Sequence, residues 1–124
     1  MGLVRSAEAP SWELPGWKMS GLASPSRGST ELSTWRVSID PNTDGPLHTV
    51  DREIVLMVLE GVATVTLEGT AVAIPAGDAF VIPPHTERKL GNAHDTQCEL
   101  ISVMGADGRS VRSDGSPSFI PWAQ

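Results

Sequence analysis

The sequence has a single cysteine, Cys98, and no tyrosine. One thiol forms no internal disulfide and builds no zinc ribbon, which points to a reducing, cytoplasmic setting. Cations are also scarce, with 9 Lys and Arg against 15 Asp and Glu and a net charge of −6. Nonspecific binding to nucleic acid or to an anionic membrane needs a cationic face, so neither is expected as a partner. No apolar run approaches the ~18–20 residues that span a bilayer. The opening MGLVRSAEAPSWELPG lacks the apolar stretch of a signal peptide. What is abundant is punctuation. The 12 Gly and 10 Pro leave little room for a long helix. Short runs rich in Val, Ile and Thr lie between them and suit a pleated, half-buried surface. A chain of 124 residues with that pattern predicts one all-β domain, a sandwich or barrel of antiparallel strands.

Along the chain, residues 1–30 read as an N-terminal arm with short strands near Trp12 and from Lys18 to Ala23. Residues 31–104 read as the barrel. Its strands are expected at Glu31–Ile39, along one extended run from Leu47 to Leu59, and at Val62–Leu67, Thr70–Ile74, Ala79–Ile82, Glu87–Leu90 and Gln97–Met104. Glu68-Gly69 reads as a hairpin turn. Residues 105–124 read as a polar, Gly-rich loop, followed by a tail in which Phe119-Ile120-Pro121-Trp122 docks on the body or on a neighbouring subunit.

Three stretches belong together: LHTVDREIVLMVLEG (Leu47–Gly61), GTAVAIPAGD (Gly69–Asp78) and FVIPPHTERKLGN (Phe80–Asn92). In their order and separation they resemble the cupin family. The resemblance implies a double-stranded β-helix, or jelly-roll, barrel of two antiparallel sheets, and a homodimer. Cupins usually bind one Fe, Mn, Ni or Zn through three His and a Glu. Counting back from Gly61 and from Asn92 puts those ligand positions on His48, Val50, Ile54 and Arg88, so only His48 is retained.

Strand parity supports this register. His48, Val50, Ile54, Leu56 and Val58 share one face, and Thr49, Asp51 and Glu53 the other. An inward Arg88 also repels a metal. Two unit charges ~4 Å apart interact by roughly 4 kcal/mol at an effective dielectric near 20, and a divalent ion feels about twice that. The expectation is therefore no cofactor. The alternative is one divalent transition metal held by a rearranged set of His48, Glu53 and His85, with a β-bulge turning Glu53 inward.

Arg88 in a barrel interior needs a counterpart, and its planar fork suits an anionic or strongly polar group on a small-molecule ligand. His48 beside that cation stays neutral and is the candidate proton carrier. Trp35, Val50, Ile54, Leu56 and Phe80 are the candidate apolar wall. The reading is a metal-independent small-molecule binder that isomerises, cyclises or dehydrates its ligand, with His48 and Arg88 as the catalytic pair. The alternatives are a metal-dependent dioxygenase or isomerase and a non-catalytic binding or sensing module. Trp12, Trp17 and Trp122 read as docking or dimer contacts, and Cys98 as a buried, unreactive thiol. His85 and His94 read as turn residues. The outward row Val55, Met57 and Leu59 is apolar too, so it is either covered by a second layer or forms a subunit interface.

Overall fold

Period-two alternation in the sequence becomes period-two burial in the structure, a computed structural model that describes residues 2–124. Met1, the first residue of the expected arm, lies outside the described residues. Twelve strands follow in order: β1 (Ser11–Leu14), β2 (Trp17–Gly21), β3 (Leu32–Ile39), β4 (Thr49–Val50), β5 (Ile54–Glu60), β6 (Val62–Leu67), β7 (Thr70–Pro75), β8 (Ala79–Ile82), β9 (Arg88–Gly91), β10 (Cys98–Gly105), β11 (Ser110–Val111) and β12 (Pro117–Ser118). Along β10 every second residue is buried, and Ser33, Trp35, Val37 and Ile39 of β3 are buried in the same rhythm. The two strands pair antiparallel from Cys98 opposite Ile39 to Gly105 opposite Leu32, so their inward rows meet in one core.

One sheet has six strands in the order β1-β2-β3-β10-β5-β8. Two three-stranded sheets, β7-β6-β9 and β12-β11-β4, face it, and an antiparallel bridge between His48 and Arg88 links them. The result is an all-β jelly-roll barrel of antiparallel strands. The expected arm is part of it, since β2 pairs with β3 from Trp17 opposite Ile39 to Gly21 opposite Trp35. Among the described residues no helix is long and apolar enough to cross a membrane.

Two stretches differ from the sequence reading. The single extended run from Leu47 to Leu59 is broken at residues 51–53. There Asp51 exchanges backbone hydrogen bonds with the far loop: its N–H donates to the Arg109 carbonyl (3.0 Å), and its carboxylate accepts from the Arg109 N–H (2.7 Å). The bend keeps parity, so Val50, Ile54, Leu56 and Val58 are all buried and Glu53 is exposed. The second difference is the expected loop after Gly105. It contributes β11 and β12, with Ser110 opposite Val50 and Val111 opposite Thr49.

Turn chemistry follows the sequence. Glu68 (φ 45°) and Gly69 (φ 87°) make the two-residue hairpin turn between β6 and β7. Gly61 is needed for two reasons. Its φ is +74°, and a Cβ there would overlap the carbonyl oxygen of Gln97. Gly61→Ala is expected to destabilise the fold by about 2–4 kcal/mol, from left-handed strain plus backbone displacement. Urea unfolding measures this, and a loss under about 1 kcal/mol would show that the β5–β6 corner yields freely.

Candidate functional site

His48 and Arg88 are 40 positions apart in sequence and directly opposite in space. Each donates its backbone N–H to the other's carbonyl, at 2.9 and 3.0 Å. Residues paired in this way across antiparallel strands project their side chains to the same face. Here that face is the interior. Arg88 is 5% exposed. Its Nη2 and Nε lie 3.2 and 3.4 Å from His48 Nε2. A guanidinium only donates, so Nε2 is the acceptor and the proton sits on Nδ1, which donates to the Pro46 carbonyl at 3.2 Å. Both ring nitrogens are therefore engaged.

Burial, then the neighbouring Arg88 charge, holds the His48 pKa below its ordinary 6.5, against the opposing pull of the Pro46 bond. Burial brings the Arg88 guanidinium down to about 10, so it is still a cation at neutral pH. Its Nη1 is buried and has no hydrogen-bond partner among the described residues. A buried donor left unmet costs about 1–3 kcal/mol, more for a charged group. Such a group persists where something other than stability requires it.

Around this pair lies a cavity of about 360 Å³. Its wall is mostly apolar, with Trp17, Trp35, Ile54, Leu56 and Trp122 among the larger contributors. Ser102, Ser110 and Ser118 add hydroxyls, and no Asp or Glu lines it. That volume lies at the small end of ordinary ligand pockets.

The structure thus brings together five of the residues singled out from sequence: Trp35, His48, Ile54, Leu56 and Arg88. Two candidate wall residues lie elsewhere. Val50, 1% exposed, is packed in the core at the start of the 51–53 bend. Phe80, on edge strand β8 beside Leu56, packs against the core, and Ile82, two residues on, takes the wall position. The aromatic wall is in part built from the chain ends, where the sequence suggested only docking. Trp122 lines the cavity and meets Trp12 edge to face, ring centroids 6.3 Å apart. Phe119, also on the wall, lies under the Arg109 guanidinium at 4.5 Å. The apolar tail Phe119–Trp122 was the available signal, but nothing local specifies where it docks.

The donor set does not fit a metal centre. Glu53 and His85 are exposed. His85 is in a left-handed turn (φ 59°) with its N–H donated to the Val50 carbonyl. Among the described residues no three His, Cys, Asp or Glu side chains converge. The His48 nitrogen that faces the cavity already accepts from Arg88. The rearranged set of His48, Glu53 and His85 is therefore not assembled, because the 51–53 bend preserves parity and leaves Glu53 facing outward. Cys98 is fully buried, and burial, then Glu99, pushes its thiol up to about 11.

The His48 shift carries a pH signature. A histidine whose folded pKa is lowered binds fewer protons folded than unfolded, so its contribution is complete above about 6.5. It is lost as pH falls from there through the folded pKa. Asp44, Asp107 and Asp114 are held below the ordinary carboxylate value and titrate at lower pH. His48→Gln is expected to flatten the stability slope just below pH ~6.5. Denaturant unfolding at stepped pH checks this, and an unchanged slope would place the titration on another group.

The family description Cupin domain matches residues 35–104. A polyketide cyclase, RemF from Streptomyces resistomycificus, superposes with a TM-score of 0.77 at 18% identity, covering 87% of this chain and 81% of its own. KdgF from Halomonas sp. gives 0.73 at 22% identity, with 92% and 97% coverage. An RmlC-like cupin from Shewanella frigidimarina gives 0.71 at 23%, with 92% and 95% coverage. At these identities the likeness speaks to the fold. No curated protein matches the sequence.

Proposed function

The chain belongs to the cupin family, and from that premise we propose that it binds a mostly apolar small molecule with an anionic or carbonyl oxygen that Arg88 receives. The observation that carries this reading is Arg88 itself, a buried cation on the wall of an apolar cavity that has no ion-pair partner among the described residues and a terminal nitrogen left without an acceptor. Such a donor is preorganised and largely shielded from water. It stabilises negative charge that develops on a ligand oxygen far better than water does. That is the demand of isomerisation, cyclisation or dehydration through an enolate-like state. A polyketide cyclase on the same fold is in keeping with that chemistry.

Beside the proton-carrier role read from sequence, the hydrogen bonds of His48 support a positioning role. With Nδ1 held by Pro46 and Nε2 accepting from Arg88, it orients the guanidinium. It takes up a proton only after releasing Arg88. This favours a second reading, a binding or sensing module without turnover, and makes His48 a positioning residue in either case. Calorimetric titration with 2-naphthoate and 2-acetonaphthone, flat probes with an anionic and a carbonyl oxygen, tests the shared core of both readings. Saturable one-to-one binding of at least one probe is expected. Binding of neither overturns the proposal. With a turned-over substrate, His48→Ala beside His48→Gln separates the roles. A positioning residue loses binding and turnover together in His48→Ala and is partly rescued in His48→Gln, whereas a proton carrier loses turnover alone in both.

A further inference from the structure

We propose that the cavity selects an aromatic or similarly flat apolar monocarboxylate, whose carboxylate docks end-on against Nη1 and Nη2 of Arg88. This rests on the binding reading above and names its ligand class.

Charge balance is the first argument. The chain carries 15 Asp and Glu, yet none lines the cavity. The ion pairs among the described residues are Arg36–Glu99, Arg52–Asp107 and Lys89–Asp44, none of which involves Arg88. A guanidinium this deeply buried is strongly disfavoured without an anion nearby. The protein supplies only a neutral imidazole, so the compensating charge comes with the ligand.

The direction of the free donors is the second. A guanidinium has a side edge, Nε with Nη2, and an end, Nη1 with Nη2. His48 occupies the side edge. Nη1 has no partner but is itself buried, so a ligand oxygen reaches it only as the guanidinium shifts toward the cavity, while Nη2 keeps a second N–H. Two parallel N–H groups match the two oxygens of a carboxylate.

The third argument sets the charge and shape of the ligand. Among the described residues Arg88 is the sole cation on the wall. A phosphate ester would bring a second negative charge with nothing to meet it, at a cost that grows in a low-dielectric site. Apart from Arg88, His48 and the hydroxyls of Ser102, Ser110 and Ser118, the wall is apolar, and it includes three indoles and Phe119, surfaces on which a flat conjugated body packs well.

Calorimetry on the full chain with 2-naphthoate, 2-naphthamide and 2-naphthyl phosphate separates the possibilities. The acid is expected to bind about ten- to hundred-fold tighter than the amide, the worth of a charge-assisted hydrogen bond over a neutral one. It is also expected to bind tighter than the phosphate. In Arg88→Gln the difference between acid and amide should vanish. If the amide binds within about threefold of the acid, or the phosphate binds tightest, the monocarboxylate assignment is overturned while the apolar binding site stands. If none of the three binds, both fall. The wild-type comparison decides without the variant, should Arg88→Gln not fold.

Discussion

Arg88→Met is expected to weaken ligand binding by about two orders of magnitude while raising thermal stability. The two effects have one cause. Arg88 is 5% exposed, makes no ion pair among the described residues, and leaves Nη1 unmet. Replacing a buried charge by an apolar side chain of similar length is often neutral, or stabilising by about 1–4 kcal/mol. His48 Nε2 loses its donor in the variant, but it borders the cavity and can be met by water. The ligand loses the single charged group that fixes its orientation. Parallel thermal melts and titrations with 2-naphthoate check the prediction. A variant that is both less stable and unimpaired in binding would make Arg88 a structural element of the barrel. Opposed changes in stability and affinity are the usual mark of a group kept for function.

Deleting residues 119–124 should have the largest effect on the fold and the site together. The tail buries Ile120 and Ala123, and the Ser33 hydroxyl donates to the Ala123 carbonyl at 2.6 Å. Losing these groups is expected to cost about 3–5 kcal/mol. The same cut removes Phe119, Ile120, Pro121 and Trp122 from the cavity wall and leaves Trp12 without its edge-to-face partner. Binding should be abolished, because the open cavity no longer excludes water. Where the truncation is too unstable to titrate, Trp122→Ala keeps the rest of the tail and is expected to lower affinity at least about tenfold. Unchanged affinity in Trp122→Ala would show that the tail braces the barrel without shaping the site.

The register of the site was legible from its fixed points. Gly61 must sit at a corner because its φ is positive and a Cβ has no room, so counting back from it places His48, Ile54 and Leu56 on one face. Asn92 is as good an anchor, since its amide donates to the carbonyls of Ile39, Asp40 and Thr96. Counting back from it places Arg88. Val50 shows where such counting stops: parity correctly turns it inward, but parity does not separate the core from the cavity wall. Phe80 fails for the same reason.

The sequence by itself determined the all-β class, the turns, and the inward rows of β3, β5 and β10. These follow from period-two patterning and from backbone positions that only glycine tolerates, both of which are local. Tertiary structure alone decided that both nitrogens of His48 are engaged, that no bulge turns Glu53 inward, and that the chain ends supply part of the aromatic wall. Each depends on a pairing between distant segments: His48 with Arg88, Asp51 with Arg109, Trp12 with Trp122. No local pattern encodes those meetings, since they are set by which surfaces remain to be covered once the barrel has closed.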